Sequence, residues 1–292
     1  MTTPVCDYEG SDYRTRFWEN QGREYEDLTE RIAIQRMMPP TGDTLIDLGA
    51  GFGRLADEYD GYKRVVLMDY SSTLLAEARE RLGDDPRFIY VAADWYKMPF
   101  VDNLFDTMVQ VRTIHHAADV PALFKQLNRI IQPNGNYILE FANKLNLKAM
   151  LRYALGRQEW SPYTHEPIEF VELNFDFHPK YIKEQLSQAQ FNHGRILTTS
   201  HFRIGFLKRT VPTKLLVWLD SVASLTGPLW QLTPSVFVHS TTSKAGSKVS
   251  GDAFFACPES GEPLTEVDGK LTSSSGKTWV KKNGIYDFKN PI

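Results

Sequence analysis

The chain has 292 residues, enough for one sizeable domain plus an appendage, and a net charge of only −3. That near balance announces no basic surface for nucleic acid or an anionic membrane, although it leaves a local basic patch open. No apolar run approaches membrane-spanning length, and the most apolar, 215–219, is far too short. Cys6 and Cys257 are the only cysteines, so no disulfide framework is expected. The opening segment carries Asp7, Glu9, Asp12 and Glu19 and no apolar core, which points to a cytoplasmic protein.

Residues 1–22 are polar and aromatic together, with Tyr8, Tyr13, Phe17 and Trp18. A helix is expected next, because Leu28, Ile32, Ala33 and Met37 recur at helical spacing until Pro39 and Pro40 stop it. Strands near 43–48, 64–68, 87–92, 104–111 and 136–142 then alternate with helices near 52–60, 71–82 and 119–131. The strands are mostly continuous apolar runs, as a sheet covered on both faces requires. The third helix gathers Val120, Leu123, Phe124, Leu127, Ile130 and Ile131 on one face, with Asp119 as its N-cap. This alternation predicts an α/β fold with a doubly wound, mostly parallel sheet.

Between the fifth strand and a helix near 179–190 lies an insertion, 143–178, far longer than an ordinary connection. It carries Tyr153, Trp160, Tyr163, Phe170, Phe175 and Phe177 and begins at the carboxyl end of a strand. It reads either as a cap over an acceptor pocket or as an extension that only covers the sheet. Residues 194–203 are expected as a sixth strand. The apolar helical segment after it (Leu215, Leu216, Trp218, Leu219, Val222, Leu225) has the period and length of a core-facing helix rather than a lipid-facing one. Residues 235–241 make the seventh strand, and 242–251 read as a flexible linker.

Chemistry concentrates in the first half. Residues 44–53 read TLIDLGAGFG, Asp69 closes the next apolar run, and Asp94 closes the one after. Strand-end acids behind a glycine turn describe a nucleotide-sized pocket at the carboxyl ends of parallel strands. The glycines fall at 49, 51 and 53, whereas a dinucleotide fingerprint would need its third glycine at Arg54. At this point the chain resembles class I S-adenosylmethionine-dependent methyltransferases, whose first motif is D-x-G-x-G-x-G. The resemblance is specific over about 40–142, where WYKMPFVDNLFDTMVQVRTIHH and IIQPNGNYILEF follow the family's succession of motifs. Asn134 stands where a glycine is usual, and asparagine tolerates the left-handed backbone of that turn.

By that resemblance Asp47, Gly49, Ala50, Gly51 and Gly53 surround the methionine part of S-adenosylmethionine. Asp69, with Tyr70, takes the ribose hydroxyls, and Asp94, with Trp95, takes the adenine amino group; Val111 borders the site. Carboxylates suit these positions because hydroxyls and an exocyclic amine are donors. The resemblance also implies a seven-stranded sheet and an N-terminal helix, within residues 1–42, folded over the cofactor. Tyr13 and Tyr25 are then lid or packing residues. A general base, if the acceptor needs one, would be sought in Arg112, Thr113, Ile114, His115 and His116, with the two histidines as candidates and Glu140 behind them. His193, His201 and His239 read as ordinary residues. The Asn/Asp-Pro-Pro-aromatic motif of amino-methylating enzymes is missing, which favours a small-molecule acceptor and O- or C-methylation over an RNA or protein substrate. A silent cofactor-binding scaffold and a nicotinamide oxidoreductase are the rival readings.

The methyltransferase domain is thus expected over 43–241. Residues 252–292 resemble small zinc-ribbon-like modules found free or fused to such enzymes, and a related small subunit activates several tRNA and protein methyltransferases. Here Cys257-Pro258-Glu259-Ser260 keeps one sulfur and 271–275 read LTSSS, so no metal is expected. Some forty residues without metal or disulfide rarely fold alone. The segment keeps Phe254, Phe255, Leu264, Leu271, Trp279, Ile285, Tyr286 and Phe288, and is expected to dock on the main domain or, as a homodimer, on a second copy.

Overall fold

The computed structural model describes residues 3–18, 21–248 and 253–292; the first two residues of the expected lid, two more at 19–20, and 249–252 at the linker's end lie outside them. A short helix α1 (Tyr13–Phe17) and a longer α2 (Glu24–Met37) precede β1 (Gly42–Leu48). The alternating part continues through β2 (Tyr62–Asp69), α3 (Ser72–Leu82), β3 (Phe88–Ala92), β4 (Phe105–Gln110), α4 (Val120–Ile130) and β5 (Ile131–Ala142). Then come α5 (Leu147–Ala154), a hairpin of β6 (Ile168–Val171) and β7 (Asn174–Asp176), α6 (Pro179–Gln188) and β8 (Phe191–Thr199). Helices α7 (Gly205–Thr210) and α8 (Thr213–Ala223) lead to β9 (Ser235–Thr242). Four short strands follow: β10 (Thr265–Val267), β11 (Lys270–Thr272), β12 (Thr278–Lys282) and β13 (Ile285–Asp287).

The expected seven-stranded body is present in the order β3-β2-β1-β4-β5-β9-β8. All its pairings are parallel except those of β9, which lies antiparallel between β5 and β8. The apolar strand runs are buried as anticipated: Leu45, Ile46 and Leu48 of β1 and Val65, Val66 and Leu67 of β2 are all sealed from solvent. On α4 the expected face is buried, and Asp119 Oδ1 caps the helix by accepting from Ala122 N–H at 2.9 Å. Asn134 takes the left-handed conformation (φ +60°) that the turn requires.

Three expectations are corrected. The helix predicted over 52–60 shrinks to one 3₁₀ turn, Ala56–Tyr59. Gly51 and Gly53 both sit at positive φ (+53° and +72°), which a right-handed helix cannot include. The segment at 213–223 is helical, but Leu215, Trp218, Leu219, Val222 and Leu225 face solvent, while Leu216, Val217 and Asp220 face inward. Its inner face is set by a polar anchor: Asp220 accepts from the Tyr25 hydroxyl and from His201 N–H, and α8 packs on α2. The third correction is the linker, which is tied down over its described part. Lys244 Nζ donates to Asn128 O, Asn103 Nδ2 to Ser247 O at 3.1 Å, and Lys248 Nζ to Asp43 at 2.8 Å.

The tail continues the sheet rather than standing apart. β13 lies parallel to β3, with Ile285 opposite Tyr90 and Asp287 opposite Ala92, so one sheet of eleven strands results. Without β13, β3 would expose an unpaired edge. Phe255 stacks on Phe100 (centroids 5.9 Å apart) and meets Tyr286 and Phe288, while Trp279 and Leu271 are buried in the same cluster as Phe105 and Leu127. The tail thus docks on the chain's own β3 edge. Around 271–275 the tail's hydroxyls meet a carboxylate: Ser274 Oγ donates to Glu262 at 2.5 Å, and Ser273 and Ser275 pair at 2.9 Å. Truncating the shared aromatic contact, Phe255→Ala, should cost about 3–5 kcal/mol and lower one common thermal transition. A separate early transition, with the main one unmoved, would show that tail and body fold independently.

Candidate cofactor site

The strand order reverses between β1 and β4, and a cleft with about 910 Å³ of empty volume opens at their carboxyl ends. Its floor is the glycine turn. Gly49 (φ +74°) must be glycine twice over, since a Cβ there would stand 2.3 Å from Thr113 Cγ2. Gly51 lines the cleft, and nothing lies within 4 Å of where its Cβ would be, so the backbone is open to a ligand. Gly53 does not border the cleft; a Cβ there would press on Ala78 of α3 at 3.2 Å, so its task is packing.

Asp69 ties this turn to the second strand. Its Oδ2 accepts from Gly51 N–H at 2.8 Å and its Oδ1 from Ser71 N–H at 2.9 Å. Burial pushes its carboxyl up, against the pull of these amides, and each oxygen keeps capacity for a further donor. Asp47, at the floor, accepts from Tyr59 O–H at 2.9 Å, and burial pushes it up to about 7. Ala50, Tyr70, Trp95 and Val111 also line the cleft. Asp94 is not among the lining residues, although Ala93 and Trp95 on either side are; its Oδ1 is taken by Tyr96 N–H at 2.8 Å.

The N-terminal segment closes the cleft from above with Val5, Cys6, Tyr8, Tyr13 and Trp18. Trp18 lies against two guanidiniums, Arg54 (4.0 Å from the ring centroid) and Arg112 (5.4 Å). Both arginines are paired with the fully buried Glu30, so the lid rests on a neutralised charge layer. Arg112 itself has φ +58°, held by its N–H donating to Glu140 Oε2 at 2.8 Å. Glu9 fixes the lid's edge by accepting from Ser72 and Thr73 N–H at the start of α3. Lys289, two residues past β13, reaches the same place: its Nζ is 3.5 Å from Glu9, donates to Ser72 Oγ at 3.0 Å and lies over the Tyr70 ring.

Known proteins resemble this region. Residues 46–139, the strands and turns around the cleft, match the family described as "Methyltransferase domain". The chain is 32% identical over 111 residues, 37% of its length, to the malonyl-[acyl-carrier protein] O-methyltransferase of Legionella pneumophila, of which 38% is covered. It is 31% identical over 143 residues to the ubiquinone/menaquinone biosynthesis C-methyltransferase UbiE of Pseudomonas savastanoi, covering 44% of this chain and 55% of that protein. The chain thus spans about half the length, or less, of these curated relatives. Among solved structures, a chain from the complex of the Haloferax volcanii Trm112 methyltransferase activator with a methyltransferase aligns with a TM-score of 0.56 at 17% identity. That alignment covers 80% of this chain and 97% of that one, and it shows a shared fold.

Around the cleft, the two histidines part company. His116 lines the cleft; its Nδ1 donates to Leu173 O at 2.8 Å, which leaves Nε2 to accept from Tyr8 O–H at 3.2 Å. Burial lowers its pKa, so the neutral ring is favoured. His115 is absent from the lining; burial pushes it far down, and its ring lies 4.1 Å from that of His116. Thr113 lines the cleft and donates to Leu48 O at 2.9 Å, Glu140 is buried behind Arg112, and Ile114 is core. Tyr13 is a lid residue, whereas Tyr25 is buried against Leu216 and Val217. Sequence reasoning passed over Tyr8, Trp18 and Arg54 as lining residues; for the two aromatics the density of aromatic side chains in the first eighteen positions was the signal.

Because Glu9 and Lys289 join lid, α3 and tail, replacing either should loosen the lid before it loosens the sheet. In Glu9→Ala and Lys289→Ala, amide hydrogen exchange over 3–18 should speed up by about threefold to tenfold, most in Glu9→Ala, which also loses the contacts to α3. Unchanged exchange there in both variants would show that the lid is held by its aromatic contacts alone.

Proposed function

We propose that the chain transfers a methyl group from S-adenosylmethionine to a small-molecule acceptor, by O- or C-methylation. The observation that carries this reading is the Asp69 carboxylate, fixed by two backbone amides at the edge of a cleft floored by an open glycine backbone. The cleft suits the cofactor by chemistry: an acceptor-only group for two ribose hydroxyls and no cluster of cations for a diphosphate, since Arg54 and Arg112 are already paired with Glu30. The two curated relatives, one named an O- and one a C-methyltransferase, support O- or C-methylation.

When bound, the cofactor supplies an electrophilic methyl group on a sulfonium. The chain's own task is to bind, align and keep water out. Asp69 would hold the ribose hydroxyls, with Asp47, Gly49 and Gly51 around the methionine part and Ala93 and Trp95 at the adenine end. Asp94 would act only if its free oxygen turned inward, since Oδ1 is committed to Tyr96. The lid aromatics Tyr8, Tyr13 and Trp18 would shut the cleft over the reaction. For an acceptor that still carries its proton, Nε2 of His116 is the receiving atom, reached in concert with the Tyr8 hydroxyl. An acceptor already ionised needs no such help.

We further read 43–241 as the catalytic body, 143–178 as the cap and 252–292 as a degenerate zinc-ribbon-like module. The β7 end of the cap supports the second of these, because Leu173 O is the hydrogen-bond partner of His116.

Asp69→Ala should weaken S-adenosylhomocysteine binding in calorimetry by about tenfold to a hundredfold; equal affinity would contradict the assignment. Binding should also depend on pH. Asp47 sits near 7 in the free protein, and a neighbouring cationic amine or sulfonium lowers that value in the complex. A proton is then released on binding, and S-adenosylmethionine affinity rises between about pH 6 and about pH 8 and levels above. A flat profile would show that Asp47 does not face the cofactor's charge.

A further inference from the structure

The connections 143–178 and 200–234 both leave the sheet at one end. The first follows β5 at Ala142; the second joins β8 at Thr199 to β9 at Ser235, and Ala142, Ser235 and Thr199 are in register. That end is also where the cleft opens, since β1 and β4 present their carboxyl ends there. The two connections touch: Leu147 N–H, at the start of α5, donates to Leu232 O at 2.8 Å, and Asn143 Nδ2 donates to Gln231 O and Thr233 O.

Together they carry large apolar side chains in water. Leu151 on α5 and Leu155 just past it, Phe206 on α7, Trp218 on α8, and Leu229 and Trp230 after it are between 54% and 77% exposed. Single exposed apolar residues are ordinary, but a concentration of this kind marks a surface that meets something. The charge around them identifies what. Across 145–157 and 203–232 the chain has seven Lys or Arg and one acid, Asp220, in a protein whose net charge is −3. Asp220 is buried beneath α8, so it does not offset them. Lys208 and Arg203 face Glu26, which leaves Lys148, Arg152, Arg157, Arg209 and Lys214 exposed among the apolar side chains.

We propose that α5, α7, α8 and the segment after α8 form a peripheral docking face for a membrane surface containing anionic lipid. Apolar side chains enter the headgroup boundary while long cationic ones stay at headgroup level, the arrangement of an interfacial helix. A second copy of the chain fits less well, because apposing this face to itself would bring its cations together. Among the described residues no helix is long and apolar enough to cross a membrane, so the contact is a docking and not a span. Docking of this kind would leave the acids of the cap, Glu166, Glu169 and Glu172, in water. The face lies at the mouth end of the cleft, yet the docking stands apart from the methyl-transfer reading and can fail without it.

Sedimentation of the full chain with vesicles tests this, using phosphatidylcholine alone and phosphatidylcholine mixed with phosphatidylglycerol, read together with tryptophan fluorescence. The chain should pellet with the mixed vesicles, more weakly with the neutral ones, and its emission should shift to the blue as Trp218 and Trp230 leave water. Phe206→Glu/Trp218→Glu and Arg152→Glu/Lys214→Glu should each lower vesicle affinity by about tenfold or more, with melting temperatures unchanged because all four side chains are exposed. Should a variant fold poorly, salt titration of the unaltered chain probes the same contact: binding to mixed vesicles must fall as salt rises. No pelleting with mixed vesicles, equal binding to neutral ones, or binding that survives both variants and salt would overturn the proposal. So would a dimer in sedimentation equilibrium that Phe206→Glu/Trp218→Glu splits while vesicles stay bare, since the occupant would then be a second copy.

Discussion

A carboxylate buried at the edge of a sheet has to be given donors, and the one at Asp69 takes two from the backbone it organises. Its bond to Gly51 N–H joins the turn after β1 to the end of β2, and a residue without Cβ sits there at φ +53° without strain and leaves the backbone open. The bond to Ser71 N–H sets the first turn of α3, where Ser71 Oγ then caps the helix. One ionisable group therefore positions the floor of the cleft, the start of the helix beside it and the site for a donor-rich ligand. Because burial raises its pKa, the free protein holds it at a cost that a bound diol would reduce.

The second constraint is direction. β13 adds to the sheet parallel to β3, so its carboxyl end arrives at the ligand end of the molecule. An antiparallel addition would have sent the last residues the other way. Parallel pairing delivers Lys289 to Glu9 and Ser72, and so connects the tail to the lid over the cleft. The tail thereby protects an open strand edge, shares an aromatic core with the body, and touches the element that closes over the ligand.

Much of this was legible in the chain. The alternation of strands and helices and the α4 face with its Asp119 cap follow from local periodicity, and periodicity is a local property. The glycine turn and Asp69 were visible because backbone conformation and acceptor chemistry restrict those positions to few residue types. What stayed hidden is long-range. Nothing in residues 52–60 reveals that two left-handed glycines shorten the helix. The burial of Asp220 by Tyr25 and His201 turns α8 over, and those partners lie 195 and 19 residues away in sequence. Asp94 shows the same limit, since a strand-end acid can spend an oxygen on its own turn and border no cleft. The lid aromatics had no motif, and Lys289 is one lysine among many until β13 is paired.

The most direct measurement is a structure of the protein with S-adenosylhomocysteine bound. The account predicts the nucleoside in the cleft, its ribose hydroxyls on Asp69 and its homocysteine part over Gly49 and Gly51, with the segment 3–18 closed above. A cleft left empty at saturating ligand, or one that instead accepts a dinucleotide with its diphosphate on the glycine turn, would contradict it.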